Sequence, residues 1–126
     1  MAGLSRTKGK VGERELASLL SALTGHTVAR RVRQHDRDDD LVGLPGWSIE
    51  CKRYATATPA LVAGWWAQAR RQAQATGTKP VLLYRADRGA WTAVWPACLH
   101  LGGTDTTEHL TATPSTWWAM AGQLSQ

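Results

Sequence analysis

The sequence predicts one α/β domain, a single mixed sheet flanked by helices, in the order α, three strands, α, two strands. Three observations carry this. Leu16, Leu19, Leu20 and Leu23 recur at helical spacing. Thr58-Pro59 opens a second helical stretch that Gly77 closes. Between and after these lie short apolar runs bounded by turn residues, as strands require. Helix and strand patterns that alternate along one chain imply a layered α/β domain, and 126 residues suffice for one such domain.

Residues 1–9 hold Gly, Ser, Thr and basic side chains without apolar periodicity and read as a flexible basic arm. A helix is expected from about Val11, its leucines forming one stripe, with Gly25 at its C-terminal stop. Thr27–Arg33 reads as a strand and Gln34–Asp39 as a polar turn. Leu41–Leu44 and Trp47–Arg53 flank Pro45-Gly46, a tight connection that predicts an antiparallel hairpin. The second helix, with Thr58 as N-cap and Pro59 at its first position, presents Val62, Trp66, Ala69 and Ala73 to the core. Val81–Arg85 is apolar on both faces, as a central strand is, and Trp91–Trp95 pairs back on it after Asp87-Arg88-Gly89. The folded core is therefore placed at 10–96. Residues 97–126 form a C-terminal extension in which Pro114–Leu124 allows a short helix carrying Trp117 and Trp118.

A net charge of +5 and a pI near 9.8 suit a polyanionic partner, because each phosphate neutralised by Lys or Arg releases counterions. The basic residues cluster as Arg6, Lys8, Lys10 and Arg14, then Arg30, Arg31, Arg33 and Arg37, then Arg70 and Arg71, which argues for DNA more strongly than the total does. Arg31 and Arg33 share a strand face and are placed to follow a phosphate backbone. No stretch reaches membrane-spanning length and the start lacks a signal-peptide core, so a cytoplasmic address is expected. Cys51 and Cys98 are too few for a disulfide framework and lack zinc-ligand spacing.

The chemistry centres on Asp40 and on Glu50-Cys51-Lys52. Alternation puts Glu50 and Lys52 on one strand face, with Cys51 opposite. The tight turn folds Asp40 back toward Glu50, so two carboxylates and an ammonium converge. Carboxylates ~4 Å apart repel by roughly 4 kcal/mol at an effective dielectric near 20, so the cluster of Asp36, Asp38, Asp39 and Asp40 calls for a cation, with the nearby arginines as the only rival to a metal. An ion such as Mg²⁺ takes carboxylate, water and phosphate oxygens. It would polarise a phosphodiester and acidify a bound water, while Lys52 orients that water or stabilises developing charge. Glu13 leans toward the core from one side of the leucine stripe. Glu15 flanks the other side at nearly the same angle, and periodicity does not choose between them.

Lys8-Gly9-Lys10 leading into Gly12-Glu13-Arg14-Glu15-Leu16, then Asp40-Leu41-Val42-Gly43, then Ile49-Glu50-Cys51-Lys52 resembles the archaeal-type Holliday junction resolvases and their phage relatives, within the PD-(D/E)xK nuclease superfamily. The likeness runs over residues 8–95, and its three blocks are specific in combination. It implies a restriction-endonuclease-like core, an active site of Glu13, Asp40, Glu50 and Lys52, and metal held by Asp40, Glu50 and Glu13. It also implies Mg²⁺ dependence with Mn²⁺ as substitute, a homodimer, and nicking of a four-way DNA junction in a bacterial or archaeal cytoplasm, with a phage gene as one source. Related nucleases often carry a Gln where Gln68 stands on the second helix. The chain departs from the pattern where Asp39 replaces the proline before Asp40 and competes as a ligand, and where Gln34-His35 replaces a frequent Ser-Gly. Two other readings share these residues: a nuclease for single-stranded, nicked or linear duplex DNA, and an inactive DNA-binding module on the same fold.

Overall fold

In the computed structural model, described for residues 2–31 and 40–124, with side chains from Gly9 onward, six strands form one sheet in the spatial order β1-β2-β3-β4-β5-β6. The elements are α1 (Ala2–Thr24), β1 (Ala29–Arg30), β2 (Leu41–Val42), β3 (Trp47–Tyr54), α2 (Pro59–Thr76), β4 (Lys79–Ala86), β5 (Thr92–Pro96), α3 (Cys98–Leu101), β6 (His109–Ala112) and α4 (Pro114–Trp117). A π-helical turn, Trp118–Gly122, follows α4. Every neighbouring pair is antiparallel except β3 and β4, which run parallel over eight residue pairs. Parallel neighbours need a long crossover, and α2 provides it. The Thr58 hydroxyl accepts the Leu61 N–H and Gly77 closes the helix in the left-handed conformation (φ 68°).

Alternation sorts the side chains onto two faces. Ile49 and Cys51 of β3, Val81 and Leu83 of β4, and Ala93 and Trp95 of β5 pack with Leu16 and Leu20 of α1 and with Trp117. Leu82 and Val94 face the opposite way, against Trp65, Trp66 and Ala69 of α2. Glu50 stands opposite Leu82 in the β3–β4 register, and Leu82 opposite Val94 in the next. A carboxylate thus occupies a row that is otherwise apolar.

Several elements differ from expectation. Helix α1 begins at Ala2 rather than near Val11, so the stretch read as an arm is helical from residue 2. Strand β1 holds only Ala29 and Arg30 of the expected Thr27–Arg33 among the described residues. On α2, Trp65 is buried beside Trp66, Ala69 and Ala73, while Val62 is half-buried at the margin. The sheet continues beyond Pro96: β6 pairs with β5 from Ala93↔Ala112 to Pro96↔His109. The segment read as an extension therefore contributes an edge strand, and its Trp117 enters the α1-side core.

Candidate active site

The β2–β3 hairpin builds the site. Leu41 pairs with Ile49, and the Asp40 N–H donates to the Ile49 carbonyl at 3.3 Å, so Asp40 stands across from Glu50 at the mouth of the hairpin. The turn closes through the Trp47 N–H donating to the Leu44 carbonyl at 3.2 Å. Gly43 (φ 121°) fits only because it lacks a side chain: a Cβ there would lie 2.1 Å from the Thr27 carbonyl oxygen. The Asp40 carboxylate is then fixed by accepting the Cys51 N–H at 2.8 Å.

Asp40 and Glu50 are both buried, at 5% and 1% exposure. Lys52 sits two residues on, its Nζ 3.2 Å from Glu50 Oε2. Glu50 Oε1 is buried with no hydrogen-bond partner among the described residues. Burial pushes the Glu50 carboxyl up to about 8; repulsion from Asp40 adds to this and the Lys52 ammonium opposes it. Burial likewise raises the Cys51 thiol well above its usual range, reinforced by the charges of Asp40, Glu13 and Glu50. Cys51 points to the α1 face and is a neutral core side chain.

Glu13 and Glu15, equivalent on a helical wheel, have separate fates. Glu15 is captured far from Glu50: both its oxygens accept from Arg85 Nη1 at 2.7 Å, and Trp91 Nε1 donates to Oε1 at 3.1 Å. Glu13 is buried and accepts from Arg30 Nε at 2.8 Å. Gly12 sets this arrangement, because a Cβ on it would lie 2.8 Å from Arg53 Cβ. The bare backbone lets α1 approach β3 and brings the next residue against the sheet. Of the acidic cluster Asp36, Asp38, Asp39 and Asp40, only Asp40 lies among the described residues.

The structure therefore brings Asp40, Glu50 and Lys52 together, while Glu13 is buried on α1 against Arg30. The donor chemistry fits a hard divalent cation. Two buried carboxylates adjoin, and a buried oxygen without a partner among the described residues favours a proton or a cation. Among the described residues no group of three or more His, Cys, Asp or Glu side chains has metal-holding geometry. Glu13 is thus not gathered with Asp40 and Glu50 as a third ligand; its carboxylate is turned to Arg30. Water and phosphate oxygens would have to complete the coordination of Asp40 and Glu50.

Of the predicted DNA contacts, Lys10 and Arg14 are exposed one turn apart on α1, and Arg31 is exposed, its N–H donating to the Asp40 carbonyl at 3.2 Å. Arg6 and Lys8 fall within α1, but their side chains lie outside the described residues, as do Arg33 and Asp39 entirely. Gln68 is half-buried on α2. Arg70 is tied to Thr106 and Thr107 by 3.0 Å hydrogen bonds and braces the loop before β6. Arg30 and Gly12 were not singled out as site residues by sequence reasoning. Both answer to contacts between distant segments, which no local pattern encodes. Among the described residues, no helix is long and apolar enough to cross a membrane.

A mixed sheet whose antiparallel hairpin carries Asp opposite Glu-x-Lys is the architecture of PD-(D/E)xK endonucleases, a restriction-endonuclease-like fold. Residues 4–117 match the family model described as "Phage putative PDDEXK endonuclease", and the chain belongs to that family. The match extends past Pro96 to Trp117 and so takes in β6 and α4. In three dimensions the chain is similar to Archaeoglobus fulgidus Hjc, a Holliday junction resolvase from an archaeal hyperthermophile. That similarity has a TM-score of 0.53 at 20% identity and covers 94% of this chain and 99% of that one, a likeness of fold. Comparison with curated proteins finds no match.

Proposed function

We propose that this endonuclease is a divalent-cation-dependent enzyme that nicks branched DNA, with a four-way Holliday junction as substrate and two copies of the chain acting as a homodimer. One observation carries the chemistry: the buried Asp40–Glu50 pair with Lys52 at 3.2 Å from Glu50 Oε2. Asp40 and Glu50 would hold Mg²⁺, with Mn²⁺ as substitute, and Glu13 is proposed as the third acid by match to the resolvases. The cation, when bound, would polarise the phosphodiester and acidify an attacking water. The chain's own groups do the rest. Asp40 is oriented by the Cys51 N–H, and Lys52 stands where it can orient water or stabilise charge on the phosphate. Lys10, Arg14 and Arg31, with Arg6, Lys8 and Arg33, would contact phosphates, and Gln68 would approach the strand from α2.

Support for the junction as substrate comes from the three sequence blocks shared with the resolvases and from the fold shared with Hjc. The test is a gel assay of purified protein on a four-way junction, a flap, single-stranded DNA and a linear duplex of the same sequence, with and without Mg²⁺, together with a solution mass. Junction nicking that requires the cation is expected, leaving 5′-phosphate and 3′-hydroxyl ends. Equal rates on junction and linear duplex would remove the junction preference, and full nicking by Glu50→Ala would end the active-site assignment.

A further inference from the structure

The face of β3 that carries the buried Glu50 and half-buried Lys52 has a third position in the same row, the exposed Tyr54 at the end of the strand. Successive same-face residues lie about 6.6 Å apart along a strand, close to the spacing of neighbouring nucleotides on an extended DNA chain. Tyr54 is 44% exposed, one of the few large hydrophobic side chains so open to solvent. It is not loosely held. Its ring lies against Trp65 of α2 at 4.9 Å with the planes tilted 34°, and Trp65 contacts Tyr84 at 5.8 Å. Trp65 is buried, and Tyr84 pairs with Lys52 across β3 and β4. The backbone is pinned as well: Tyr54 pairs with Ala86, and the Asp87 N–H donates to the Tyr54 carbonyl at 3.0 Å. Arg53 reinforces the same corner through Asp87 at 3.6 Å.

A rigid aromatic ring, backed on one side by a buried tryptophan and open on the other, offers a flat surface one same-face step beyond Lys52, the side chain placed at the phosphate, and two beyond Glu50. We infer that Tyr54 is a nucleobase-stacking residue, receiving an unstacked base of the nucleotide next to the scissile phosphate. A base inside a regular duplex has both faces covered by its neighbours, whereas bases at a branch point or a single-stranded end can present one. The same contact therefore favours distorted DNA over linear duplex without reading sequence, since every base has a π face. This rests on the nuclease reading above and specifies how that site selects its DNA.

The experiment first maps the nick site of the wild-type protein on a four-way junction. It then compares Tyr54→Ala, Tyr54→Phe and Tyr54→Trp on that junction and on versions in which the nucleotide on either side of the scissile phosphate is abasic. Tyr54→Ala should bind the intact junction about 5- to 150-fold more weakly, the range of a single base–aromatic stack. Phe and Trp should keep near wild-type binding, and the penalty should shrink to less than twofold on one of the abasic junctions. A 2-aminopurine at that nucleotide should be quenched by an Asp40→Asn protein and not by the Asp40→Asn, Tyr54→Ala double variant. A Tyr54→Ala protein within twofold of wild type on the intact junction overturns the inference. So does an equal penalty on intact and abasic DNA, or a loss of binding that tracks a change in solution mass, which would mark Tyr54 as a subunit contact. A wild-type protein that neither binds nor nicks any DNA would instead fail the nuclease reading and take this one with it.

Discussion

Replacing Glu50 by Gln should stabilise the cation-free protein at alkaline pH while abolishing its activity. Glu50 is 1% exposed, and its carboxyl is pushed from the ordinary 4.5 to about 8, by burial first and by Asp40 second. Only the protonated acid can donate a hydrogen bond to Asp40. Between those two pH values the folded chain therefore keeps a proton that the unfolded chain releases, so stability falls as pH rises. At about 1.4 kcal/mol per pH unit the ceiling of this loss is about 5 kcal/mol, and water entry or side-chain movement will relieve part of it. Gln has the same shape, can donate its amide to Asp40, carries no charge and does not titrate.

Urea unfolding in EDTA at pH 5, 6, 7 and 8 is the measurement. The wild type should lose about 2 kcal/mol or more from pH 5 to 8 relative to Glu50→Gln. Adding Mg²⁺ or Mn²⁺ should recover the wild type, more so at high pH where a proton no longer competes, and leave Glu50→Gln unchanged. Parallel pH curves for the two proteins would show that the Glu50 carboxyl is not held protonated by its surroundings, and the electrostatic account of the site would fall.

Four further outcomes are expected. Asp40→Ala should lose nicking and also about 1–3 kcal/mol of stability, because the buried Cys51 N–H is left without its 2.8 Å acceptor; Asp40→Asn should lose nicking alone, as urea melts and a junction assay can separate. Glu15→Ala should cost at most about 1 kcal/mol, its side chain being 42% exposed, and leave nicking intact. Glu13→Ala should lower nicking about tenfold or more while binding persists. Gly12→Val should drive a side chain into Arg53 and cost about 1–3 kcal/mol in a thermal or urea melt, with reduced nicking because α1 no longer presents Glu13 at the same depth.

The hairpin was legible because two local rules agree on it. A tight Pro45-Gly46 turn sets which residues face each other, and the two-residue period of a strand sets which share a side. Together they place Asp40 across from Glu50 with Lys52 in the same row, and the structure has that arrangement. Helix α2 was legible for a similar reason, since Thr58, Pro59 and Gly77 are chemical stops that act through the backbone of their own segment. The choice between Glu13 and Glu15 was not. Their angles to the leucine stripe are nearly equal, and what separates them is Arg85 and Trp91, 70 and 76 residues away, together with the closeness of Gly12 to Arg53. Strand β6 was missed because His109–Ala112 is a four-residue edge with no buried side chain; its order comes from pairing with β5.

The limit of legibility follows from the kind of force involved. Turn and cap chemistry is written within a few residues, whereas burial is a property of the assembled sheet. Glu50 shows this most clearly. As a letter in Trp47–Tyr54 it is an ordinary alternating polar residue, which one would place in solvent. In the sheet it stands in line with Leu82 and Val94, facing Trp65 and Trp66. A chain selected for stability alone would put an apolar side chain there, since a buried carboxylate with one unpartnered oxygen costs free energy that Lys52 only partly offsets. The conflict between local pattern and global position is what marks the residue as functional. It also predicts the sign of the Glu50→Gln experiment, in which the fold gains what the chemistry loses.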